Sequence, residues 1–194
     1  MSHHLYRLVE TTPPAAEPLV LSDVKEFLRI DHSSDDALVN GLISAARQVC
    51  ETATGRSLIT RSYSLYLDEW AGEVFLLPKP PLLSIVQVKV YAADNTSAVF
   101  ASANYYVDTA GTPGRLVLTE GAVVPTPGRV ANGIEIQYTA GYGAAASNVP
   151  PLLKQGMKQM IAYLYEHRGD SPDQAAQASG AAAVFKPYAL MSLS

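Results

Sequence analysis

The hydrophobic period of the chain changes twice, and this change constrains the fold more than any other feature. Up to Gly55, apolar residues recur every three to four positions, as in amphipathic helices. From Leu58 to about Gly143 they alternate with polar residues, as in "LITRSYSLYLDEW", which is typical of β-strands. The helical period returns in "VPPLLKQGMKQMIAYLYEHRGD". This order predicts an α+β fold, a helical bundle of about three to four helices with an inserted antiparallel β-sheet or sandwich domain.

The longest helical segment follows the acidic run Ser33–Asp36 and ends at Gly55, as capping preferences predict. It carries two adjacent apolar stripes, and an apolar arc this wide predicts burial on more than one side. The first stripe comprises Leu38, Leu42, Ala45, Val49 and Ala53, and the second comprises Val39, Ile43, Ala46 and Cys50. Because Cys50 is the only cysteine, an intrachain disulfide and a cysteine metal cluster are excluded. We expect its thiol to be buried and inert.

Composition shifts and punctuation by proline and glycine divide the chain into six predicted parts. They are an N-terminal arm (1–18), the first helical part (19–57), the β domain (58–143), a return helix (144–169), a flexible Ala-rich linker (170–183) and a C-terminal docking segment (184–194). The last segment is apolar and follows a stretch with little to bury. It therefore docks either on its own domain or on a partner.

Charge and hydropathy exclude several classes of function. The formal net charge is −4, with 14 basic and 18 acidic side chains, so the chain lacks the overall positive charge with which proteins bind nucleic acid. No apolar run approaches the roughly 18 residues that span a bilayer, and the N-terminus lacks the apolar region of a signal peptide. We expect a soluble protein that is made in a reducing cytoplasm and has no membrane partner.

The glycine-rich stretch "YTAGYGAAASNVP" lies between a predicted strand and a predicted helix, where many proteins bind phosphate. A P-loop requires Lys and a hydroxyl after its last glycine, but three alanines follow Gly143 and the next lysine is Lys154. The dinucleotide pattern fails as well, since Ala146 stands at the third glycine position and no βαβ unit surrounds it. The glycines are therefore interpreted as a turn that joins the sheet to the helix, and no cofactor is expected.

Candidate metal and catalytic residues are few. His3 and His4 lie at the chain terminus, and the run Asp31–Asp36 lacks the spacing of a calcium loop, so helix capping explains its acids better. His32 and His167 are the remaining candidate bases, but no nucleophile elbow accompanies them, and His167 fits a helix C-terminus. We therefore predict no catalytic site, no metal site and no enzymatic activity.

The tyrosines leave one alternative open. There are eleven, and six lie on predicted strands, namely Tyr63, Tyr66, Tyr91, Tyr105, Tyr106 and Tyr138. They are compatible with a surface for a small ligand, and a small α+β ligand-binding or hydrolytic protein is the alternative function. Tyrosine is also favoured in strands and at protein interfaces, and few basic residues lie between these tyrosines, which argues against nucleic acid.

Several segments, taken in order, resemble the phage head–tail connector (adaptor) family, which includes gene-transfer-agent adaptors. Characteristic stretches are "ATGRSLITR", "LLPKPPLLSIVQVKVY" and "IQYTAGYG" followed by "VPPLLKQGM". The similar pieces are Leu21–Asp31, Asp35–Arg61, Leu76–Tyr91, Ile134–Gly143, Val149–Arg168 and the terminal "FKPY" at Phe185–Tyr188. Together the resemblance covers roughly residues 19–188.

The resemblance implies a structural component of a virion neck that is made in the host bacterial cytoplasm. Such adaptors form a homo-oligomeric ring, typically twelve-fold, beneath the portal protein and extend the DNA channel toward stopper or tail-completion proteins. DNA would pass through without specific binding. The C-terminal segment of such proteins tends to reach toward the portal. On this resemblance, the expected portal-docking residues are Phe185, Pro187, Tyr188, Leu190 and Met191.

Overall fold

The computed structural model describes residues 6–190, which fold as two compact units. The β unit comprises the chain up to Pro13 together with Thr60–Gly141, and the helical unit comprises Pro14–Ile59 with the chain from Tyr142 onward. All strand pairs are antiparallel, so the α+β class that the sequence predicts is confirmed. No helix within residues 6–190 is long and apolar enough to span a bilayer.

In the part of the chain that the structure describes, the β unit consists of a five-stranded and a three-stranded sheet. Their strands are β1 (Arg7–Thr12), β2 (Arg61–Leu67), β3 (Val74–Leu76), β4 (Leu82–Tyr91), β5 (Ser97–Phe100), β6 (Tyr105–Asp108), β7 (Arg115–Leu118) and β8 (Ile134–Ala140). The strand order is β1-β2-β8-β4-β5 in the larger sheet and β3-β7-β6 in the smaller one.

The register of β8, the central strand of the larger sheet, separates an apolar from a polar face. Ile134, Ile136 and Tyr138 alternate with Glu135 and Gln137 along this strand, so the two sets of side chains lie on opposite faces. The apolar set joins residues of both sheets in one core, which includes Tyr63, Leu65, Phe75, Leu77, Val88 and Leu116. Burial between two sheets therefore fixes the register, because a slip of one residue would expose the apolar set.

The N-terminal segment differs from the predicted arm, because Arg7–Thr12 forms an edge strand paired with β2. Five of its six side chains are exposed and one is half-buried. An edge strand with so little burial on either face carries no alternating apolar pattern, so hydrophobic periodicity could not reveal it. An ion pair adds to the pairing, since Arg61 Nη1 lies 3.0 Å from Glu10 Oε2.

Among residues 6–190, the helical unit contains five α-helices, where the sequence predicts about three to four. They are α1 (Leu21–Leu28), α2 (Asp36–Thr54), α3 (Pro151–Glu166), α4 (Pro172–Ala178) and α5 (Ala181–Phe185). Of the two apolar stripes of α2, the second is the core face, and its four side chains are at most 1% exposed. They pack with the buried face of α3, formed by Leu153, Met157, Met160, Ile161 and Leu164.

The prediction of a flexible linker over residues 170–183 is wrong, because α4 and most of α5 lie there. Ser171 caps α4: its hydroxyl accepts from the Gln174 N–H at 3.3 Å, and the Gln174 side chain accepts from the Ser171 N–H at 3.1 Å. The buried alanines, among them Ala175 and Ala181, belong to the helical core. Small side chains allow these short helices to pack closely. The alanine-rich composition, which suggests disorder, therefore belongs to ordered helices here.

Candidate functional site

The C-terminal segment is where the sequence places the portal-docking residues, and the structure separates them. Phe185 is 1% exposed and lies in the core of the helical unit. Its ring fits against Gly156 of α3, where a Cβ would lie 2.6 Å from Phe185 Cε1. The aromatic side chain is already buried within its own unit, so the structure argues against Phe185 as a docking residue, and the docking assignment stays a prediction.

The residues that follow Phe185 lie at the surface of the helical unit. Pro187 is exposed, whereas Tyr188 and Leu190 are half-buried. Two hydrogen bonds hold their backbone to the end of α2: Arg56 Nε donates to the Tyr188 carbonyl at 2.7 Å, and the Leu190 N–H donates to the Thr54 carbonyl at 3.1 Å. Met191 lies outside the described residues. The part of the segment before Met191 is therefore fastened to its own unit.

The glycine-rich loop after β8 is built for a turn. Gly141 and Gly143 have φ angles of 135° and 152°, a region that residues with a side chain rarely adopt. At Gly143 a Cβ would lie 2.4 Å from the Asn148 side chain. The Asn148 Oδ1 atom in turn accepts a hydrogen bond from the Ala145 N–H at 3.0 Å. The glycines thus allow the Asn148 side chain to approach the backbone of the loop closely. This contact closes the loop just before the start of α3.

The candidate catalytic histidines take part in local surface contacts. His32 is exposed and its Nδ1 lies 2.7 Å from Ser34 Oγ. His167 is exposed at the end of α3, stacks on Tyr163 at 4.1 Å and places Nδ1 2.9 Å from the Tyr163 carbonyl. Neither lines the grooves described below. His3 and His4 lie outside the described residues, and within residues 6–190 no three His, Cys, Asp or Glu side chains cluster as a metal site would require.

On the polar face of the larger sheet, several side chains cluster around one buried carboxylate, that of Glu135. The sequence does not predict this cluster. Glu135 is 4% exposed and its Oε1 accepts hydrogen bonds from Ser64 Oγ at 2.7 Å and Gln137 Nε2 at 2.7 Å. Tyr91 donates to Oε2 at 2.7 Å, and Tyr66 donates to Oε1 at 3.2 Å. Lys89 Nζ lies 3.9 Å from Oε2. Two of the strand tyrosines thus serve a buried carboxylate rather than an open ligand surface.

The hydrogen bonds in this cluster shift the acidity of its members in opposite directions. Burial alone would raise the pKa of the Glu135 carboxyl, but the bonds donated by Tyr91, Gln137 and Ser64 and the charge of Lys89 outweigh it and leave the pKa lowered. The bond to Glu135, together with burial, raises the pKa of Tyr91 to about 12. Glu135 is therefore ionised and Tyr91 protonated across the physiological range, which suits a fixed structural contact better than proton transfer.

Two surface grooves are lined mostly by apolar or small residues. The first, in the β unit, has a volume of about 470 Å³ and lies between the β4–β5 hairpin and the loop that follows β7. The second, in the helical unit, has a volume of about 410 Å³ and is lined largely by alanines, among them Ala53, Ala182 and Ala189. Neither groove brings together a set of titratable side chains, so neither has the character of an active site.

Large apolar side chains are also exposed on the helical unit. Val20 is 50% exposed, Phe27 41% and Leu152 60%. Phe27 lies on α1 with Val24, which is fully buried, and Leu28, which is half-buried. Exposed side chains of this size add to the apolar surface that a partner could cover.

The Cys50 thiol gives a direct test of how closely the helical core is packed. It is fully buried, and burial, with a smaller contribution from the Glu51 carboxylate, raises its pKa to about 12. Because the thiolate is the reactive form, we expect no measurable labelling of the native protein by a maleimide at neutral pH, but rapid labelling in urea. Labelling of the folded protein at the rate of free cysteine would contradict the packing of α2 in the core.

Comparison with known protein families gives a match that extends over most of the chain. The family model described as "Head completion protein" matches residues 19–190. No curated protein sequence matches the chain significantly.

Solved structures of gene transfer agent (GTA) particles contain similar chains. One chain, from the neck of an empty GTA particle computed with C6 symmetry, is 24% identical, with a TM-score of 0.79 and 97% of each chain covered. A second, from the virion of a native gene transfer agent, is 24% identical with a TM-score of 0.81 and covers 96% of this chain and 97% of its own length. A third, from the neck of a native GTA particle computed with C12 symmetry, is 26% identical with a TM-score of 0.78 and 97% coverage of both chains.

Proposed function

This chain belongs to the head completion protein family, and we propose that it serves as the head–tail connector of a phage-like particle by forming a homo-oligomeric ring beneath the portal protein. The ring extends the DNA channel and offers an attachment site to stopper or tail-completion proteins. The observation that carries this proposal is the family match, which runs from residue 19 to residue 190 and so includes residues of both units.

The symmetry of the related particles supports a ring. Two of the similar chains come from necks that were computed with C6 and C12 symmetry. A twelve-fold ring agrees with both symmetries, because it also has six-fold rotational symmetry. In a closed ring of this kind, one head-to-tail contact between neighbouring subunits is repeated around the axis. We assign ring and portal contacts to the helical unit, which exposes Val20, Phe27 and Leu152. The β unit then contacts the tail side.

A structural role also agrees with the chemistry of the chain. With 14 basic against 18 acidic side chains, a channel lined by this protein lacks the excess of Lys and Arg that grips phosphates, so DNA can slide through without specific binding. The buried titratable residues Glu135 and Cys50 are held in unreactive states. We therefore assign the protein a non-enzymatic function in the neck of the virion.

The portal-docking proposal now rests on the exposed Pro187 and on Met191, since Phe185 is buried and the backbone of Tyr188 and Leu190 is hydrogen-bonded near the end of α2. We expect that removing residues 191–194 greatly weakens capture of this protein by the purified portal protein of the same particle. The thermal unfolding midpoint should remain unchanged, because the deletion retains Phe185 and the Leu190–Thr54 hydrogen bond. Pull-down with matched full-length protein measures the first effect, and differential scanning calorimetry measures the second.

The outcomes separate two failures. If the shortened protein attaches as well as the full chain, the portal contact lies elsewhere on the helical unit and only the docking assignment fails. If the full chain also fails to associate with the portal in assembling particles, the connector proposal itself is contradicted.

A further inference from the structure

The surface groove of the helical unit lies beside the last residue that the structure describes. Ala189 lines this groove, and the described chain ends one position later, at Leu190. Leu190 is fixed at the end of α2, because its N–H donates to the Thr54 carbonyl at 3.1 Å. Its side chain packs against Gly55, where a Cβ would lie 3.0 Å from Leu190 Cδ1. Residues 191–194 therefore continue the chain from a point at the rim of the groove.

The groove is apolar and has room for side chains. It is lined by four alanines, among them Ala53 of α2 and Ala183 of α5, and by Phe185, which is 1% exposed. Two polar residues, Gln177 and Lys186, complete the lining, and both are exposed. An apolar cavity of about 150 Å³ holds one benzene, so a groove of about 410 Å³ can accept two side chains of roughly that size.

The chain at the rim has the sequence of a segment with one apolar side. The six residues from Ala189 onward read "ALMSLS". Ala189 has φ −61° and ψ 137°, so the backbone is extended where it passes the groove. Side chains two positions apart lie on the same side of an extended chain. An extended continuation would place Met191 and Leu193 on the side of Ala189, toward the groove, and Ser192 and Ser194 on the opposite side.

The short tether favours residues 191–194 of the same chain over any separate molecule as the occupant. Four extended residues span about 13 Å, which is enough to cross a groove of this size from the anchored Leu190. A short tether gives its segment an effective concentration on the order of millimolar at a site within reach. A second copy of the chain would need a comparable concentration to compete.

We propose that the groove binds residues 191–194 of its own chain until the protein meets the portal, with Met191 and Leu193 covering the alanines that line it. The segment that the connector proposal directs to the portal is then first bound to its own unit. Its release by the portal rests on the proposed connector function. The groove and its occupant follow instead from the point at which the described chain ends.

The energetics of such a contact fit a segment that has to be released. Burial of two apolar side chains favours the occupied groove, whereas the ordering of four residues opposes it. The occupied and released forms are therefore close in free energy, so removal of the segment leaves the unfolding midpoint unchanged. The apparent affinity for the portal falls with the fraction of protein in which the groove is occupied.

The methyl group of Met191 provides a direct probe. In the NMR spectrum of the full chain with isotope-labelled methionine methyl groups, Met191→Leu identifies the resonance. We expect this resonance away from the position of methionine in an unfolded chain, with nuclear Overhauser contacts to the methyls of Ala53 and Ala183. A resonance at the unfolded position without such contacts would overturn the proposal. Contacts that disappear on dilution would assign the occupant to a second copy and overturn it as well.

Filling the groove tests where the segment binds. Ala183→Leu adds bulk from an exposed position of α5 and should move the Met191 resonance to the unfolded position. Ala178→Leu is the matched control, since Ala178 is exposed on α4 and does not line the groove, and it should leave the resonance unchanged. Ala53→Leu fills the groove from α2 and should act as Ala183→Leu does. A resonance that neither filling variant moves, in folded protein, would overturn the site.

Capture by the purified portal protein tests the release. If the groove is occupied at least half of the time, Ala183→Leu should strengthen capture about twofold or more, because the segment is then always free to bind. Removing residues 191–194 from this variant should abolish the gain. Weaker capture by folded Ala183→Leu would assign the groove to the portal itself and overturn the release. If the unsubstituted chain does not associate with the portal at all, the connector function fails, and the Met191 resonance still decides whether the groove is occupied.

Discussion

Replacing Phe185 by alanine is expected to lower the free energy of unfolding of the helical unit by about 3–5 kcal/mol, the usual cost of removing a buried aromatic ring. The ring is 1% exposed and packs against α3, where Gly156 leaves the space that it fills. Alanine would leave a cavity there, because a glycine has no side chain that could move in to fill it. Equilibrium urea unfolding followed by circular dichroism measures the loss.

Pro187→Ala is the matched control, since this residue is exposed only two positions further along. We expect its effect on stability to remain within about 0.5 kcal/mol. The contrast separates the two roles that the sequence leaves open for this segment. If Phe185→Ala left the stability unchanged but abolished association with the portal, Phe185 would be a docking residue, and its burial in the helical core would be contradicted.

The change of hydrophobic period was sufficient to predict the α+β fold. A helix of 19 residues with two apolar stripes, and strands with alternating residues such as Tyr63 and Leu65, give signals that single substitutions do not obscure. The same reasoning interpreted the glycines after β8 as a turn. In each case the order of the residues directly reflects a local requirement, either of the backbone or of a buried face.

The elements that the sequence analysis missed depend on other information. The edge strand Arg7–Thr12 owes its pairing to the neighbouring β2 and not to a buried face of its own. For α4, a signal was present: Ser171 and Gln174 have the spacing of a capping box, with Pro172 at the first helical position. The alanine-rich composition hid it, because alanine is common both in helices and in flexible segments.

The Glu135 cluster could not be predicted because it combines residues of three strands that are distant in sequence. Ser64 and Glu135 are separated by 71 positions, and Tyr91 and Glu135 by 44. Only the sheet order β2-β8-β4 brings them together. The strand tyrosines suggested a ligand surface, and the pairing of the strands shows that two of them have an intramolecular partner.

Glu135→Ala is expected to destabilise the β unit by about 2–3 kcal/mol at neutral pH, because Ser64, Gln137 and Tyr91 lose the carboxylate that satisfies their donors. Thr139→Ala is the control on the same face of β8, where the hydrogen bond to Ser84 is exposed. Its cost should not exceed about 1 kcal/mol. Urea unfolding of the full chain, monitored by the fluorescence of Trp70 in the β unit, measures both.

The pH dependence distinguishes the cluster from a mere packing effect. Since the pKa of Glu135 is lowered in the folded state, its contribution is fully present above the ordinary glutamate value of about 4.3 and is lost as the pH falls through the lowered pKa. The difference in stability between the unsubstituted protein and Glu135→Ala should therefore narrow in acid. A difference that stays constant would assign the effect to lost packing.

At high pH the stability changes with pH in the opposite direction, because the pKa of Tyr91 is raised. Its contribution is fully present below the ordinary tyrosine value of about 10 and is lost as the pH rises through about 12. In Glu135→Ala the acceptor is gone, so the Tyr91 phenol should ionise nearer to the ordinary value, which ultraviolet titration detects as an additional early phenolate. An unchanged titration would show that Glu135 does not hold the Tyr91 proton. The cluster would then no longer account for the order of the polar face across β2, β8 and β4.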